Sequence, residues 1–526
     1  MGGNKYVSSN ELAELMNSNS LFAIFDIRER GEYNRCQIPG TTSSPRSQIE
    51  FRISQLVPNP VIPVIIYDQA EERAALAAET LTELGYRTVA ILRGGITAWC
   101  NEDRPIVSGV NVPSKAFGEK VHHQRNIPEI SADELHRLKN QDEPLRILDV
   151  RTPEEYGRFC IPGAVNVPGG DLILWLDELK ESNTPVIVNC AGRTRSIIGT
   201  AALRRLGLAN VRALKNGTMG WVLSGFELEK NPPRGTSQAA RQSRAGAVSR
   251  ALALAAEENI AWVSCEEFAA AVANQSDRVS YGIDVRSEAE YEAGHIAGSV
   301  NVPGGQAVQR AHDFVAVRNA EIFFISDESP RAVMAAYWYR QMGFPNVFVL
   351  QGGLRAWSES GAKLTRGAAQ HEALGFAAAK RDVTLVQPEE LARKSQKSTT
   401  LILDVGSSLD FEAAHIPGAK WISRGWLEIE ISRRFPDRRQ SIVLTCIDGM
   451  QSIFAALALQ RIGYMAVAVL SGGVRAWKAA GLPIETGLDA RLVEANDVVL
   501  SPSIRGGKED MQRYLDWETK LVRNDR

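Results

Sequence analysis

The sequence lacks four features that would each assign it to a particular class of protein. No apolar run reaches the ~18 residues of a membrane-spanning helix, and the N-terminus lacks the charged start and apolar stretch of a signal peptide. Its 60 lysines and arginines against 62 aspartates and glutamates leave no basic excess for nucleic acid or anionic membranes. The six cysteines contain no C-x-x-C pair, which argues against structural zinc and a disulfide scaffold. We therefore expect a cytoplasmic protein with free thiols that binds neither membranes nor nucleic acid.

What the sequence does contain is a fourfold repeat. An apolar run that ends in aspartate occurs at Asp26, Asp149, Asp284 and Asp404. A Gly-rich phrase that ends in tryptophan follows each of them, at Trp99, Trp221, Trp357 and Trp477. Successive aspartates are 123, 135 and 120 residues apart, and successive tryptophans 122, 136 and 120. Because two independent markers keep step over a period far above that of solenoid repeats, the pattern predicts four whole domains in series.

The domain boundaries are placed where the composition shifts. The predicted domains span residues 1–115, 125–230, 256–366 and 383–488, with a tail at 489–526. The longest linker, rich in Pro, Gly, Ser and Arg, follows the second domain at 231–246 and is predicted to separate two halves of the chain. The last part of the tail predicts a helix able to cover a domain or a partner.

Short β-branched runs alternate with stretches of helical periodicity in each repeat. In the second repeat, residues 146–150 and 185–189 predict buried strands, and residues 196–207 predict a helix with Gly207 as its C-cap. Strand, helix and strand in this order predict an α/β fold in which each domain is a parallel sheet flanked by helices.

The loop after the strand at 185–189 holds the best candidate for chemistry. In an open α/β sheet, ligands bind beyond the carboxyl ends of the strands, where the next helix offers unpaired N–H groups and its positive dipole end. Cys190 stands at this point, with Arg193 and Arg195 close behind it. These charges would favour a nucleophilic thiolate. The alternative is a buried structural cysteine at a strand end.

Four motifs of the second repeat together resemble the rhodanese homology domain: the D-V-R strand, the phrase E-Y-x-x-x-x-I-P-G-A-x-N-x-P, the C-x4-R loop and the closing G-x-x-x-W. The resemblance recurs four times and covers nearly the whole chain. It implies a sulfurtransferase, without metal or organic cofactor, whose loop cysteine accepts sulfane sulfur from a donor such as thiosulfate and passes it to cyanide or a thiol. Cys190 would then be the persulfide carrier. The predicted donor-binding residues are Ala191, Gly192, Arg193, Thr194, Arg195 and Ser196.

The other three loops differ at the position equivalent to Cys190. The first and third have Asp68 and Ser326, so these domains are predicted to be inactive. The fourth keeps a thiol, Cys446, and the family's usual glycine three residues later, but it has Asp448 and no arginine. Cys446 is therefore a less certain second catalytic residue, with a vestigial thiol as the alternative.

The marker aspartates and tryptophans recur in repeats that lack the cysteine, so we interpret them as residues that fix the fold. His122 and His123 are interpreted as linker rather than as metal ligands.

Two rival functions remain. A phosphatase of related fold would need five residues between its cysteine and arginine, whereas four separate Cys190 from Arg195. A sulfur-relay or binding scaffold with a protein donor or acceptor is compatible with two loops that lack a nucleophile.

Overall fold

A computed structural model describes residues 5–232, 243–273, 278–369, 372–395 and 400–522. Residues 233–242, most of the predicted long linker, lie outside this description. Among the described residues are four five-stranded sheets whose strands all run parallel, one in each repeat. The predicted α/β fold class with four tandem domains is confirmed. No helix of the described part is both long and apolar enough to cross a membrane.

The first domain contains five strands and five α-helices. In chain order these are β1 Lys5–Val7, α1 Ser9–Met16, β2 Ala23–Asp26, α2 Arg30–Arg35, β3 Thr42–Ser43, α3 Ile49–Leu56, β4 Val64–Tyr67, α4 Glu72–Glu83, β5 Val89–Leu92 and α5 Gly95–Asn101.

The second domain is preceded by a helix of its own. Its elements are α6 Val112–Gln124, β6 Glu129–Ile130, α7 Ala132–Asn140, β7 Arg146–Asp149, α8 Pro153–Arg158, β8 Phe159–Cys160, β9 Val165–Asn166, α9 Leu176–Ser182, β10 Val186–Asn189, α10 Thr194–Arg205, β11 Val211–Leu214, α11 Gly217–Leu223 and β12 Glu229–Lys230. His122 and His123 lie in the last turn of α6, a helix that lies in the chain between the sheets of the first two domains.

The third domain begins after the long linker. Its elements are α12 Ser243–Glu257, β13 Ala261–Val263, α13 Cys265–Ala273, β14 Ser280–Asp284, α14 Glu288–Ala293, β15 Val300–Asn301, α15 Gly304–Gln309, α16 Ala311–Phe314, β16 Glu321–Ile325, α17 Pro330–Gln341, β17 Val347–Leu350 and α18 Gly353–Glu359.

The fourth domain is followed by the tail, which carries the predicted helix. The elements are α19 Phe376–Arg381, β18 Thr384–Val386, α20 Pro388–Ser395, β19 Leu401–Asp404, α21 Ser408–Ala413, β20 Lys420–Trp421, α22 Leu427–Arg434, β21 Ile442–Thr445, α23 Met450–Arg461, β22 Val467–Leu470, α24 Gly473–Ala479 and, in the tail, α25 Lys508–Lys520.

All four sheets have the same strand order, β1-β5-β4-β2-β3 in the first domain. The strand that ends in the marker aspartate therefore lies beside the strand that leads into the candidate loop, and in the second domain Asp149 pairs with Asn189 across β7 and β10. A short antiparallel ladder, β8 with β12, also belongs to the second domain. Single bridges replace it in the other three domains, so it is an edge feature of the same fold.

The chain divides into two compact units. Unit I comprises residues 1–109 and 370–499, and unit II comprises residues 110–369 and 500–526. The first domain thus packs with the fourth, and the second with the third. The prediction that the long linker separates two halves is wrong, because the domains on either side of that linker lie in the same unit. Their backbones approach closely at two glycines. A Cβ atom on Gly170 would lie only 3.1 Å from Cα of Gly304.

Two reciprocal ion pairs join the domains of unit I. Arg46 of the first domain donates to Glu428 of the fourth, with Nη1 3.0 Å from Oε2. Arg424 of the fourth donates to Glu50 of the first, with Nη1 2.9 Å from Oε1. All four side chains are buried. Each charge therefore depends on its partner, because an unpaired buried charge is strongly destabilising.

Replacing Arg424 by Met should lower the free energy of unfolding of unit I by ~3–5 kcal/mol, because Glu50 is left charged and buried. Arg433 offers a matched control, since its pairs with Glu430 and Glu72 are exposed and worth ~1 kcal/mol or less. Urea titration of the full-length Arg424→Met and Arg433→Met variants measures both values. Equal losses would show that the buried pairs do not hold the unit together.

Candidate active site

Cys190 lies where predicted, between the end of β10 and the start of α10. Its side chain is 2% exposed, and its thiol is 3.5 Å from Oγ of Ser196 in the first turn of α10. Oγ of Ser196 in turn donates to the carbonyl of Arg193 at 2.8 Å. The carbonyl of Cys190 accepts from the N–H of Thr218 at 2.9 Å. The thiol is thus held at a junction between the amino ends of α10 and α11.

The backbone of this loop differs from that of the other three loops. The residue three positions after the key residue has a left-handed backbone in the first, third and fourth domains, with φ of 85° at Glu71 and 91° at Ser329 and Gly449. Arg193 at the same position has φ of −118° and ψ of −56°. The cysteine loop of the second domain therefore has its own backbone conformation. Its glycine is also placed differently, because Gly192 lies two residues after Cys190, whereas Gly449 lies three residues after Cys446.

The two arginines of the loop are engaged in ion pairs. Nε of Arg193 donates to Glu119 at 2.6 Å, and its Nη1 donates to Glu129 at 3.2 Å. Nη1 and Nη2 of Arg195 donate to the two carboxylate oxygens of Glu155, at 2.6 and 2.7 Å. Although burial opposes the shift, Arg195 lowers the pKa of Glu155 to about 2. The positive charge predicted to surround the thiol is thus largely neutralised.

The resting thiol is consequently not driven toward thiolate, which corrects the expectation from the sequence. Burial raises the pKa of Cys190 above its ordinary value, while Arg195 and Ser196 oppose the rise and Glu518 adds to it. Arg193 points away into its ion pairs with α6 and β6. Of the two arginines, Arg195 is the one whose charge favours the Cys190 thiolate.

In the first loop, a carboxylate of the chain itself accepts hydrogen bonds from backbone N–H groups of the loop and of the start of α4. Oδ1 of Asp68 accepts from the N–H of Ala70 at 3.0 Å and also from Glu71. Oδ2 accepts from the N–H groups of Arg73 and Ala74, at 2.7 and 3.2 Å. A carboxylate of the chain itself therefore fills this cradle of N–H groups. In the third loop, the hydroxyl of Ser326 takes the same place and accepts from the N–H of Ser329 at 3.1 Å.

Cys446 in the fourth loop is 1% exposed. Its Sγ accepts from the N–H of Gly449 at 3.2 Å and is 3.6 Å from both Asp448 and Ser452. Burial raises the pKa of Cys446, and the charges of Asp448 and Asp404 add to the rise. The Cys446 thiol therefore accepts from a backbone N–H, but two acidic side chains, Asp448 and Asp404, lie near it.

The tail brings residues to the Cys190 site that the sequence analysis did not assign. Oε1 of Glu518, on α25, accepts from the hydroxyl of Thr194 at 2.6 Å. Tyr514 lies one turn earlier, and a Cβ atom on Gly192 would lie 3.6 Å from its ring. Lys115, on α6, places its ammonium 4.4 Å from the centre of the Tyr514 ring. Helix α25 therefore covers the cysteine loop.

Three side chains on α6 have ligand atoms within 4.8 Å of one another, namely Glu119, His122 and His123. Both carboxylate oxygens of Glu119 accept from Arg193. Nε2 of His122 lies 3.3 Å from Glu129. The cluster is thus part of the ion-pair network that holds Arg193.

Comparison with known proteins shows where this site belongs. The family described as "Rhodanese-like domain" matches residues 8–102, 131–224, 264–360 and 387–480. These segments make up most of the chain. The chain belongs to the rhodanese family of sulfurtransferases.

Several relatives of this rhodanese are known. A thiosulfate sulfurtransferase of known crystal structure from Pseudomonas aeruginosa is 36% identical, with 99% of this chain and 97% of that chain covered and a TM-score of 0.91. A putative sulfur carrier protein of Bacillus subtilis is 35% identical over 97 residues, 18% of this chain and 52% of its own length. A thiosulfate sulfurtransferase of Azotobacter vinelandii is 34% identical over 134 residues, 23% of this chain and 47% of that protein. This rhodanese spans about half of the length of the last two relatives.

The marker aspartates of this rhodanese are buried anchors, and one differs from the rest. Asp149 accepts from Arg151, with Nη2 2.7 Å from Oδ2, and from Asn189 at 3.0 Å. Equivalent arginines pair with the marker aspartates of the first and third domains. Asp404 has Gly406 in place of this arginine, and its Oδ1 accepts from the glycine N–H at 2.8 Å. Burial therefore raises the pKa of Asp404 to about 7.

Replacing Asp404 by Asn should stabilise the protein, most strongly at pH 8. The folded pKa of about 7 exceeds the ordinary 3.8, so the penalty begins as pH rises through 3.8 and is complete above about 7. We expect a gain on the order of 3 kcal/mol at pH 8 that shrinks toward pH 4. Asp149→Asn is the opposite control, because it strands the buried charge of Arg151 and should destabilise. Urea titrations at both pH values decide, and a loss of stability in Asp404→Asn contradicts this account.

The thiol of Cys190 should be sluggish toward a neutral alkylating reagent. Because burial raises the pKa of Cys190 and leaves the residue 2% exposed, the folded protein should react with iodoacetamide at pH 7.5 more slowly at Cys190 than the urea-unfolded chain does. Peptide mapping by mass spectrometry measures the two rates. A faster reaction in the folded protein would restore the low pKa expected from the sequence.

Proposed function

We propose that this rhodanese transfers sulfane sulfur from thiosulfate or a related donor to cyanide or a thiol through a persulfide on Cys190. The observation that carries the proposal is the position of Cys190. It is a thiol at the carboxyl end of a buried parallel strand, against the first turn of α10 and beside Arg195. Helix amino ends stabilise anions through unpaired N–H groups and the helix dipole.

The first half-reaction is a displacement at sulfur. The Cys190 thiolate attacks the outer sulfur of thiosulfate, the bond between the two donor sulfurs breaks, and sulfite leaves with its electron pair. Three negative charges enter and three remain, one on the persulfide and two on sulfite. In the second half-reaction cyanide or a thiolate attacks the outer persulfide sulfur, and the Cys190 thiolate is regenerated.

The residues around Cys190 have distinct tasks in this scheme. The N–H of Ser196 faces the sulfur and favours the anionic forms of cysteine and persulfide, whereas its hydroxyl, 3.5 Å from the thiol, donates to the carbonyl of Arg193. Arg195 contributes its charge while Glu155 fixes its orientation. The backbone of Ala191, Gly192 and Arg193 forms the remainder of the donor-binding loop, and the Arg193 side chain anchors this loop to α6.

The other domains are proposed to serve as support. The carboxylate of Asp68 occupies the first cradle and forms no persulfide, and Ser326 has no base to activate it. Cys446 remains a second, weaker candidate, since the N–H of Gly449 faces its sulfur but Asp448 disfavours the thiolate. We place the protein in the cytoplasm, where its six free cysteines stay reduced.

A second candidate function is a sulfur relay with a protein donor or acceptor. It is favoured by the cover over Cys190, because a thiol that is 2% exposed is screened from small molecules in the resting structure. A protein partner would have to move α25. Turnover with small donors alone separates the two functions.

Wild type, Cys190→Ser and Cys446→Ser should be incubated with thiosulfate and assayed for thiocyanate after addition of cyanide, with intact mass reporting one added sulfur. We expect Cys190→Ser to lose both the adduct and at least about 99% of turnover, since the nucleophile is essential. Cys446→Ser serves as the matched control and should keep most activity. Survival of turnover in Cys190→Ser would refute the assignment, and its absence in wild type would favour the relay.

A further inference from the structure

Helix α25 comes from the far end of the chain and closes over the Cys190 loop. Leu515 and Glu518 of this helix are buried against unit II. Burial raises the pKa of Tyr514, and the nearby charges of Glu518 and Cys190 add to the rise. A Cβ atom on Gly192, two residues after Cys190, would lie 3.4 Å from Glu518 and 3.6 Å from Tyr514, so both side chains line the space beside the cysteine loop.

Glu518 places a carboxylate in that space with half of its hydrogen-bonding capacity unused. The side chain is 1% exposed. Its Oε1 accepts from Thr194, the first residue of α10, at 2.6 Å. Its Oε2 is buried without a hydrogen-bond partner among the described residues, and a Cβ atom on Gly192 would lie 3.4 Å from it. A buried, half-satisfied carboxylate is costly unless it stands in a site built for an anion.

Lys115 supplies a cation to the same space. It is 3% exposed, and its ammonium lies 4.4 Å and 4.7 Å from the ring centres of Tyr514 and Trp517. One turn later on α6, a Cβ atom on Gly118 would lie 2.9 Å from Cγ2 of Thr194, so α6 packs directly on the start of α10. Burial lowers the pKa of Lys115 to about 8, although the charge of Glu518 opposes the change. Whereas Arg193 and Arg195 are held by carboxylates, Lys115 contacts aromatic rings.

In the first domain, too, a carboxylate of the chain lies at the amino end of the helix that follows the loop. There the carboxylate of Asp68 satisfies the N–H groups at the start of α4. In the second domain the key residue is a thiol, and the carboxylate near the start of α10 comes from Glu518, 324 residues further along the chain. In both domains an acidic side chain of the protein lies at the amino end of the helix that follows the loop, on the N–H groups of Arg73 and Ala74 in the first domain and on the Thr194 hydroxyl in the second.

We propose that Lys115, Thr194 and the amino end of α10 form the subsite for the oxyanion part of the sulfur donor, and that the Glu518 carboxylate, which accepts from the Thr194 hydroxyl, blocks this subsite until the donor displaces it. The inference rests on the proposed function and names its donor class, a tetrahedral sulfur oxyanion such as thiosulfate. On binding, the hydroxyl of Thr194 exchanges the Glu518 carboxylate for a donor oxygen. The ammonium of Lys115 faces the incoming charge, and the end of α25 moves away from the thiol.

Binding of thiosulfate should be measured by calorimetry in a Cys190→Ser, Cys446→Ser background, which has neither candidate nucleophile. Adding Glu518→Gln should tighten binding about fivefold or more, because the competing charge is gone while the shape is kept. Adding Lys115→Met should weaken binding by about tenfold, because the cation is lost. Glu509→Gln is the matched control, since Glu509 is an exposed glutamate on the same helix. It should leave the affinity unchanged.

Opposite shifts in these two variants are the signature of the proposal, since a merely structural role would weaken binding in both. Thermal unfolding of each variant checks that it is folded, and Lys115→Gln replaces Lys115→Met if the latter is not. Unchanged or weaker binding in Glu518→Gln would overturn the proposal, as would unchanged binding in Lys115→Met and Lys115→Gln. If the shifts occur but wild type has no turnover, the subsite stands and the proposed reaction falls. If turnover depends on Cys190 but the shifts are absent, the reaction stands and the subsite falls.

Discussion

Every domain of this chain has to satisfy the backbone N–H groups that open the helix behind its loop. In three domains the carboxylate of Asp68, the hydroxyl of Ser326 and the thiol of Cys446 accept from these N–H groups. In the second domain the thiol of Cys190 stands in the same place, and the backbone N–H of Ser196 favours its anionic form. Equivalent N–H groups thus bind a carboxylate of the chain in the first domain, whereas in the second domain the residue at this position is a thiol. The second domain combines a thiol in this place with a carboxylate, Glu518, that is separate from it and therefore free to leave.

Within each unit, buried ion pairs or close backbone contacts hold the two domains together. In unit I the two exchanged ion pairs, Arg46 with Glu428 and Arg424 with Glu50, bury four charges as pairs at the junction of the first and fourth domains. In unit II, Gly170 and Gly304 bring backbones together between the second and third domains. Arg331 of the third domain also reaches Asp171 of the second, at 3.1 Å. The first and third domains, which have Asp68 and Ser326 at the key position, therefore pack directly against the domains that carry Cys446 and Cys190.

Much of this architecture could be predicted from the sequence, because the relevant signals are local. The aspartate and tryptophan markers revealed four domains, and the apolar run before Cys190 placed it at a strand end. The partners of Arg193 could not be predicted, since Glu119 lies 74 residues away and reaches the loop through α6. The cover could not be predicted either, because no local pattern links Thr194 to Glu518. The raised pKa of Cys190 was missed as well, because burial in the folded chain outweighs the charge of Arg195 in the loop.

The central claim is that sulfur is carried by Cys190. Its most direct test is to treat the wild-type protein with thiosulfate labelled with heavy sulfur at the outer position, trap the products with an alkylating reagent, and map the label by peptide mass spectrometry. The account predicts one labelled sulfur on the peptide that contains Cys190, released on addition of cyanide. Label on the Cys446 peptide alone, or on neither peptide, would contradict it.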